Sequence, residues 1–273
     1  MIRVAFQGEK GAYSEEAAYK FFNGREIETM PCFSLQEVVD LVQNGDADFG
    51  ILPIENTVAG SITQSYDLLF TSTLNVYGEV TIRVSHNLLS VEGASQRTIR
   101  YVVSHPQALA QCENYIRRKN LVAIPEFDTA GSARKVKEMN DPAYACIASE
   151  RAARIYGLKI VDESIEDFPW NYTRFFVLSR EEPEKGDYNK TSVVFSTRHR
   201  PGALLRCLEA FAKRGINLTK IESRPDKNTP WRYLFYLDFE GHISEPHVEE
   251  ALIELLKIAT FVKVIGSYPG EKR

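Results

Sequence analysis

Residues 179–190, SREEPEKGDYNK, constrain what this chain can fold into more than any other stretch. They are charged, carry Pro183 and Gly186, and offer almost nothing to bury, so they read as a linker between two domains. A chain of 273 residues is long enough for two. The rhythm of the sequence changes across the linker, and each side predicts its own architecture.

Before the linker, strands alternate with helices. IRVAFQG reads as a strand, and Ser14 as the N-cap of a helix with Glu15 and Glu16 in its first turn and Gly24 as its stop. In SLQEVVDLVQNG, Ser34 and Glu37 have capping-box spacing, Leu35, Val38, Val39, Leu41 and Val42 form an apolar stripe, and Gly45 ends the helix. DFGILPI, IRYVVS, LVAIPEF and AYACIA are further strands, and Pro106 suits the first turn of the helix after IRYVVS. This alternation predicts a mostly parallel α/β domain over residues 1–180. Ligands of such domains sit beyond the carboxyl ends of the strands, where helix N-termini favour anions. The strand-end loops hold Gly8, Gly11, Asn56, Gly60, Ser61, Ser104, Gln107, Thr129 and Ser149. Together these suit a small carboxylate; each hydroxyl taken alone is as readily a helix cap.

After the linker, residues 191–273 run TSVVFSTRH, PGALLRCLEAFAKRG, INLTKIESRP, WRYLFYLDFEG, HVEEALIELLKIATF and VKVIGSYP. The order β-α-β-β-α-β predicts a ferredoxin-like domain. WRYLFYLDFEG carries Trp231, Tyr233, Leu234, Phe235, Tyr236, Leu237 and Phe239, more apolar surface than one buried face uses. A second chain covering this strand is the expectation, and burial on both faces within one chain the alternative.

Several chemistries find no support. A net charge of -4 argues against nucleic acid as a partner. Cys32, Cys112, Cys146 and Cys207 are scattered without zinc-ligand spacing, as befits reduced thiols, and the five histidines form no metal pattern. The sequence holds no phosphate loop, dinucleotide fingerprint or nucleophile elbow. No apolar run reaches membrane-span length, and MIRVAFQGEKG enters a strand at once, so a cytoplasmic protein is expected. What remains is chemistry done by hydroxyls, amides and an arginine, with neither cofactor nor metal.

NYTRFFVLSR, at 171–180, places polar residues at the mouth of a buried strand. Adjacent strand residues face opposite sides, so Thr173 and Arg174 cannot both enter one cleft if pairing there is regular. Either residues 171–174 are loop, or Arg174 braces the site from behind through an ion pair.

The motifs FQGEKGAYSEEAA at 6–18, PIENTVAGSI at 53–62, SHPQALAQC at 104–112, NYTRFFVLS at 171–179 and GALLRCLEAFAKRGINLTKIESRP at 202–225 occur in this order. Over nearly the whole chain the sequence resembles the prephenate dehydratases. The resemblance implies a catalytic domain of two α/β lobes, like a periplasmic binding protein, followed by an ACT regulatory domain. It implies prephenate as substrate, with Thr173 assisting departure of the ring hydroxyl, Asn56, Ser61, Ser104 and Gln107 orienting the substrate, and Arg174 neutralising a carboxylate. Phenylalanine would bind the second domain on Gly202, Ala203, Leu204, Leu205, Glu222, Ser223, Arg224 and Pro225 and inhibit the first. The residue types fit: a helix N-terminus for a carboxylate, leucines for an apolar side chain, a glutamate for an ammonium group. A homo-oligomer is implied too, a dimer through the ACT domain and a tetramer overall. GEKGAYS departs from the more usual Gly-Pro-x-Gly-Thr-Tyr-Ser form, and DTAGSA carries Gly131 where a larger residue is common. No chorismate-mutase segment precedes the first strand, as in a monofunctional form. The alternatives are an arogenate dehydratase, whose substrate has an amine in place of the keto group, and a non-catalytic amino-acid sensor.

Overall fold

Local sequence chemistry sets most of the early elements. The computed structural model describes residues 1–226, 229 and 231–271. Strands β1 (Ile2–Gln7), β2 (Ile27–Cys32) and β3 (Phe49–Asn56) alternate with helices α1 (Tyr13–Phe21) and α2 (Leu35–Asn44). The α2 cap forms as its spacing predicts: Ser34 Oγ accepts the Glu37 N–H at 3.2 Å, and Gly45 closes the helix in the left-handed region. The reciprocal bond shifts by one residue, because Glu37 Oε2 accepts the N–H of Phe33 at 2.7 Å. Ser14 is not a cap. Helix α1 starts one residue earlier, behind Ala12, and the buried Glu15 carboxylate accepts the Gly11 N–H at 2.7 Å instead.

The chain continues through β4 (Gly60–Ser61), α3 (Thr63–Thr71) and β5 (Asn75–Arg83). A second lobe follows: β6 (Asn87–Ser90), β7 (Tyr101–Ser104), α4 (Pro106–Gln111), α5 (Glu113–Arg118), β8 (Val122–Pro125), α6 (Thr129–Met139), β9 (Tyr144–Ala148), α7 (Glu150–Tyr156) and β10 (Lys159–Asp162). Strand β11 (Tyr172–Ser179) returns to the first sheet, whose order is β2-β1-β3-β11-β5 with β4 on β3. The second sheet runs β10-β6-β9-β7-β8. Parallel pairs (β1 with β2 and β3, β7 with β8 and β9) make the centres, but β6 runs antiparallel to both β9 and β10. The domain is therefore mixed where a mostly parallel one is expected, because the chain crosses between the lobes twice. The crossovers are tied together by Val84 N–H to Asn171 O and Ile165 N–H to His86 O, both 2.8 Å.

Compactness divides the chain in a way that no sequence boundary marks. One unit is Met1–Ile62 with Val80–Phe175; the other is Thr63–Glu79 with Phe176–Arg273. The second contains β12 (Asn189–Ser196), α8 (Ala203–Ala212), β13 (Leu218–Pro225), β14 (Tyr233–Glu240), α9 (Pro246–Ile258) and β15 (Phe261–Pro269). Its sheet order β13-β14-β12-β15, with every recorded pair antiparallel, is the ferredoxin-like arrangement. On one face Val193, Phe195, Leu237 and Phe239 pack against Cys207 and Phe211 of α8 and Val248 and Leu255 of α9.

Residues 63–79 cover the other face. The Tyr236 ring meets Tyr66 edge-on at 4.8 Å, and its hydroxyl donates to the Tyr66 carbonyl at 2.8 Å. Gly266 lies so close to Val76 that a Cβ there would stand 2.6 Å from the Val76 carbonyl oxygen. Both faces of β14 are thus buried within one chain, and its aromatic load does not call for a second copy. Trp231, 84% exposed, and Tyr233 precede the covered part. The linker is also shorter than its composition implies: Asn189 and Lys190 belong to β12 and are buried.

Candidate active site

Asn56 ends β3 and turns the chain into the β3–β4 hairpin, where it pairs with Gly60. Its side-chain oxygen accepts the N–H groups of Val58 (3.0 Å) and Ala59 (2.8 Å), so the amide holds the turn that presents it. Its nitrogen faces three acceptors, Asn171 Oδ1 (2.7 Å), Thr173 Oγ1 (3.0 Å) and the Tyr172 carbonyl (3.1 Å). An amide nitrogen only donates, so Thr173 accepts here and its own hydroxyl hydrogen is left to donate elsewhere.

Behind this pair runs a chain of buried polar groups. Gln111 Nε2 donates to Asn56 Oδ1 (3.3 Å), and Gln111 Oε1 accepts from Asn171 Nδ2 (3.0 Å) while facing His86 Nε2 at 2.8 Å. His86 Nδ1 lies 3.2 Å from the Tyr13 hydroxyl, which donates to the Ser85 carbonyl at 2.5 Å. Burial holds the His86 imidazole below its ordinary pKa and the Tyr13 hydroxyl well above its own. Both groups are neutral at pH 7.

Strand β11 begins at Tyr172, so Thr173 and Arg174 both lie within it and point to opposite faces. Arg174 therefore faces away from Thr173: its side chain, 3% exposed, pairs with Glu55 through Nε and Oε1 at 2.8 Å. Of the two arrangements open to the sequence, the ion pair with Glu55 is the bracing one. Ser104 is fully buried in the second sheet and donates to the Ile147 carbonyl at 2.7 Å, a bond that ties β7 to β9. Gln107 is exposed in the first turn of α4, its N–H held by His105 Nδ1 at 3.1 Å, and Ser61 is half-buried beside Glu55 on the hairpin. Ser149 caps α7 through the Ala152 N–H (3.0 Å) and donates to Gly11 O (2.7 Å), while Asp128, not Thr129, caps α6.

Tyr13, His86 and Gln111 are missing from the set that the sequence nominates. Gln111 had a signal, since it lies one helical turn beyond Gln107 in SHPQALAQC. His86 had none, standing alone in a crossover. A cavity of about 580 Å³ opens at the ends of β1, β2 and β8, bordered by Gly8, Pro31, Phe127, Gly131 and Arg134, a size suited to a small ligand. The rings of Phe33 and Phe127 stack at its edge, centroids 4.5 Å apart.

In the C-terminal unit, Gly202 sits in the left-handed region as N-cap of α8. Ala203 is buried, Leu204 packs on the core and Leu205 is 61% exposed. On β13, Glu222 and Arg224 are half-buried between exposed Ser223 and Pro225. A cavity of about 580 Å³ near the start of α8 is lined by Ala203 and Leu204 with Arg198, Arg200, Arg232 and Tyr233; Glu222 to Pro225 are absent from its described lining.

The prephenate dehydratase family profile matches residues 4–183, and the ACT domain profile residues 191–257. An arogenate dehydratase/prephenate dehydratase of Arabidopsis thaliana is 45% identical over 98% of this chain and 73% of its own length. The crystal structure of a prephenate dehydratase from Arthrobacter aurescens in complex with L-Phe superposes with a TM-score of 0.89 at 32% identity, covering 98% of this chain and 89% of that one. A protein described as a novel type of quorum-quenching acylase reaches 0.90 at 34% identity, covering 98% of each chain. Profile, relatives and fold agree on the catalytic and regulatory parts together, and the chain belongs to the prephenate dehydratase family.

Proposed function

We propose that this enzyme converts prephenate to phenylpyruvate through a hydrogen bond from Thr173. The carrying observation is the Asn56 amide, which donates to Thr173 Oγ1 at 3.0 Å and so leaves the hydroxyl hydrogen available to donate. In the reaction the bond between ring and carboxylate breaks, carbon dioxide leaves, and the electron pair enters the ring. The ring hydroxyl departs on the other side as hydroxide held by the Thr173 hydrogen bond, and takes a proton from solvent to become water. Aromatisation supplies the driving force, so the protein needs chiefly to orient the dianion and stabilise charge on the departing oxygen. A threonine is too weak an acid to transfer its proton first, so departure is hydrogen-bond-assisted. Asn56 and Ser61 orient the polar groups, and Arg174 with Glu55 stiffens the strand that bears Thr173.

The division of labour follows residues 1–180 for catalysis and 191–273 for regulation, in the cytoplasm, where the four buried free cysteines would stay reduced. No described helix is long and apolar enough to cross a membrane. Phenylalanine is the effector, taken by the Gly202–Leu205 turn of one chain and the Glu222–Pro225 edge of another. That reading is supported by β13 being an edge strand with Ile221 46% exposed. It requires at least a dimer, and a monomeric mass in solution at micromolar concentration would contradict it.

Incubation of the purified protein with prephenate, and separately with arogenate, tests the chemistry by the appearance of phenylpyruvate or phenylalanine. Faster turnover of prephenate is the expected result. Preference for arogenate would reassign the substrate, and turnover of neither would remove the reading.

A further inference from the structure

Residues 63–79 lie in sequence between the hairpin that bears Asn56 and the crossover that bears His86, yet they pack with the C-terminal sheet. Each strand of that sheet supplies one grip. From β15, Lys263 Nζ donates to the carbonyls of Leu69 (3.1 Å), Phe70 (2.9 Å) and Ser72 (2.5 Å) at the end of α3. Unpaired carbonyls and the negative end of the helix dipole favour a cation there. From β13, Arg224 pairs with Asp67 at 3.6 Å. From β14, Tyr236 holds Tyr66 by ring contact and hydrogen bond. From β12, Lys190 meets Glu79 at 2.7 Å, each side chain 2% exposed. Separating that pair would strand two buried charges, so sheet and segment are bound to move together.

Chain continuity carries the movement onward. Helix α3 begins at Thr63, directly after Ile62, whose N–H bonds Ile54 O at 2.8 Å beside the Asn56 hairpin. At the other end β5 runs without a break from Glu79 to Arg83, three residues before His86. No slack lies at either junction.

We propose that Thr63–Glu79 is a regulatory relay, clamped to the ACT sheet in its middle and joined at its two ends to the Asn56 hairpin and the His86 crossover. Arg224 is the point of entry, since it stands in the ESRP run and grips Asp67. The proposal rests on the phenylalanine reading above for its trigger, not for its mechanics. A ligand that shifts the sheet biases the site only by its difference in affinity between the two positions.

Lys263→Met and Asp67→Asn in the full chain test the relay; neither residue belongs to the catalytic site or the effector pocket. Both variants should keep basal turnover within about twofold and phenylalanine affinity, by calorimetry, within about threefold. Inhibition at saturating phenylalanine should weaken by at least about fivefold, the lower end of ordinary allosteric coupling. Full inhibition in both variants would overturn the relay. If the unaltered enzyme neither binds nor answers phenylalanine, the effector reading has failed, and hydrogen exchange then decides the relay alone. Faster exchange of the Val58, Ala59 and Ile62 amides in Lys263→Met than in the unaltered chain supports it, and unchanged exchange there overturns it.

Discussion

Thr173 Oγ1 accepts from Asn56, and Asn56 is held in turn by Gln111 and the hairpin amides. Replacing Thr173 with Val keeps the β-branched shape and removes the donor. Turnover should fall roughly 100-fold or more while KM stays within a few-fold, because the bond strengthens only as charge develops on the departing oxygen. Steady-state kinetics check this, and near-normal turnover would sink the role. His86 supplies a second test through acid stability. Its folded pKa lies below the ordinary 6.5, so the unfolded chain binds the extra proton first as pH falls. The stability tied to neutral His86 is fully present above about pH 6.5 and is lost progressively below it. Urea midpoints measured from pH 7.5 to 5.5 should fall more steeply in the unaltered protein than in His86→Asn. Equal slopes would show that His86 is not the buried neutral group described.

Among the elements, β15 and the start of β5 approach more closely than any side chain allows. A Cβ at Gly266 would meet the Val76 carbonyl oxygen at 2.6 Å and Val76 Cβ at 2.8 Å, and backbone cannot move aside as a flexible side chain does. Gly266→Ala should therefore destabilise by about 1–3 kcal/mol, the range of overpacked cores. Chemical denaturation measures it, and a loss below about 0.5 kcal/mol would show that the strands can part. The reverse case is the α2 cap, whose participants sit three residues apart and form as their spacing predicts. Capping is legible because it is local. The Gly266 contact joins residues 190 positions apart, and nothing near either residue signals it.

At the scale of the whole molecule, the borrowed segment changes what truncation should do. The linker invites a chain ending near Arg180 that keeps activity and ignores phenylalanine. In the structure such a chain loses the cover of Tyr66, the partner of the buried Glu79 carboxylate, and the Lys263 cap on α3. Apolar surface so uncovered costs about 25 cal/mol per Å², against a domain stability of only about 5–15 kcal/mol. The truncated chain should aggregate or unfold without a sharp transition, seen by size-exclusion chromatography and urea denaturation. A cooperative transition near that of the full chain would show that residues 63–79 stand without the C-terminal sheet.

The sequence by itself determined what local patterns encode. The alternation of strands and helices, the βαββαβ order, the α2 cap, and Asn56 and Thr173 as residues at strand ends all follow from periodicity, capping and motif chemistry within a few turns of chain. Only the tertiary structure decided which side each of those residues faces and what covers it. Alternation along β11 sent Arg174 to Glu55, and the second sheet took up the hydroxyl of Ser104. Packing of residues 63–79 against the far face of β14 buried aromatics that had pointed to a second chain. The reason is physical: burial and partner choice depend on contacts between residues 43 to 190 positions apart, whose closure entropy grows only slowly with separation. Such contacts leave no trace in any short window of sequence, so the polar chain from Tyr13 to Thr173 emerges only when both lobes are folded.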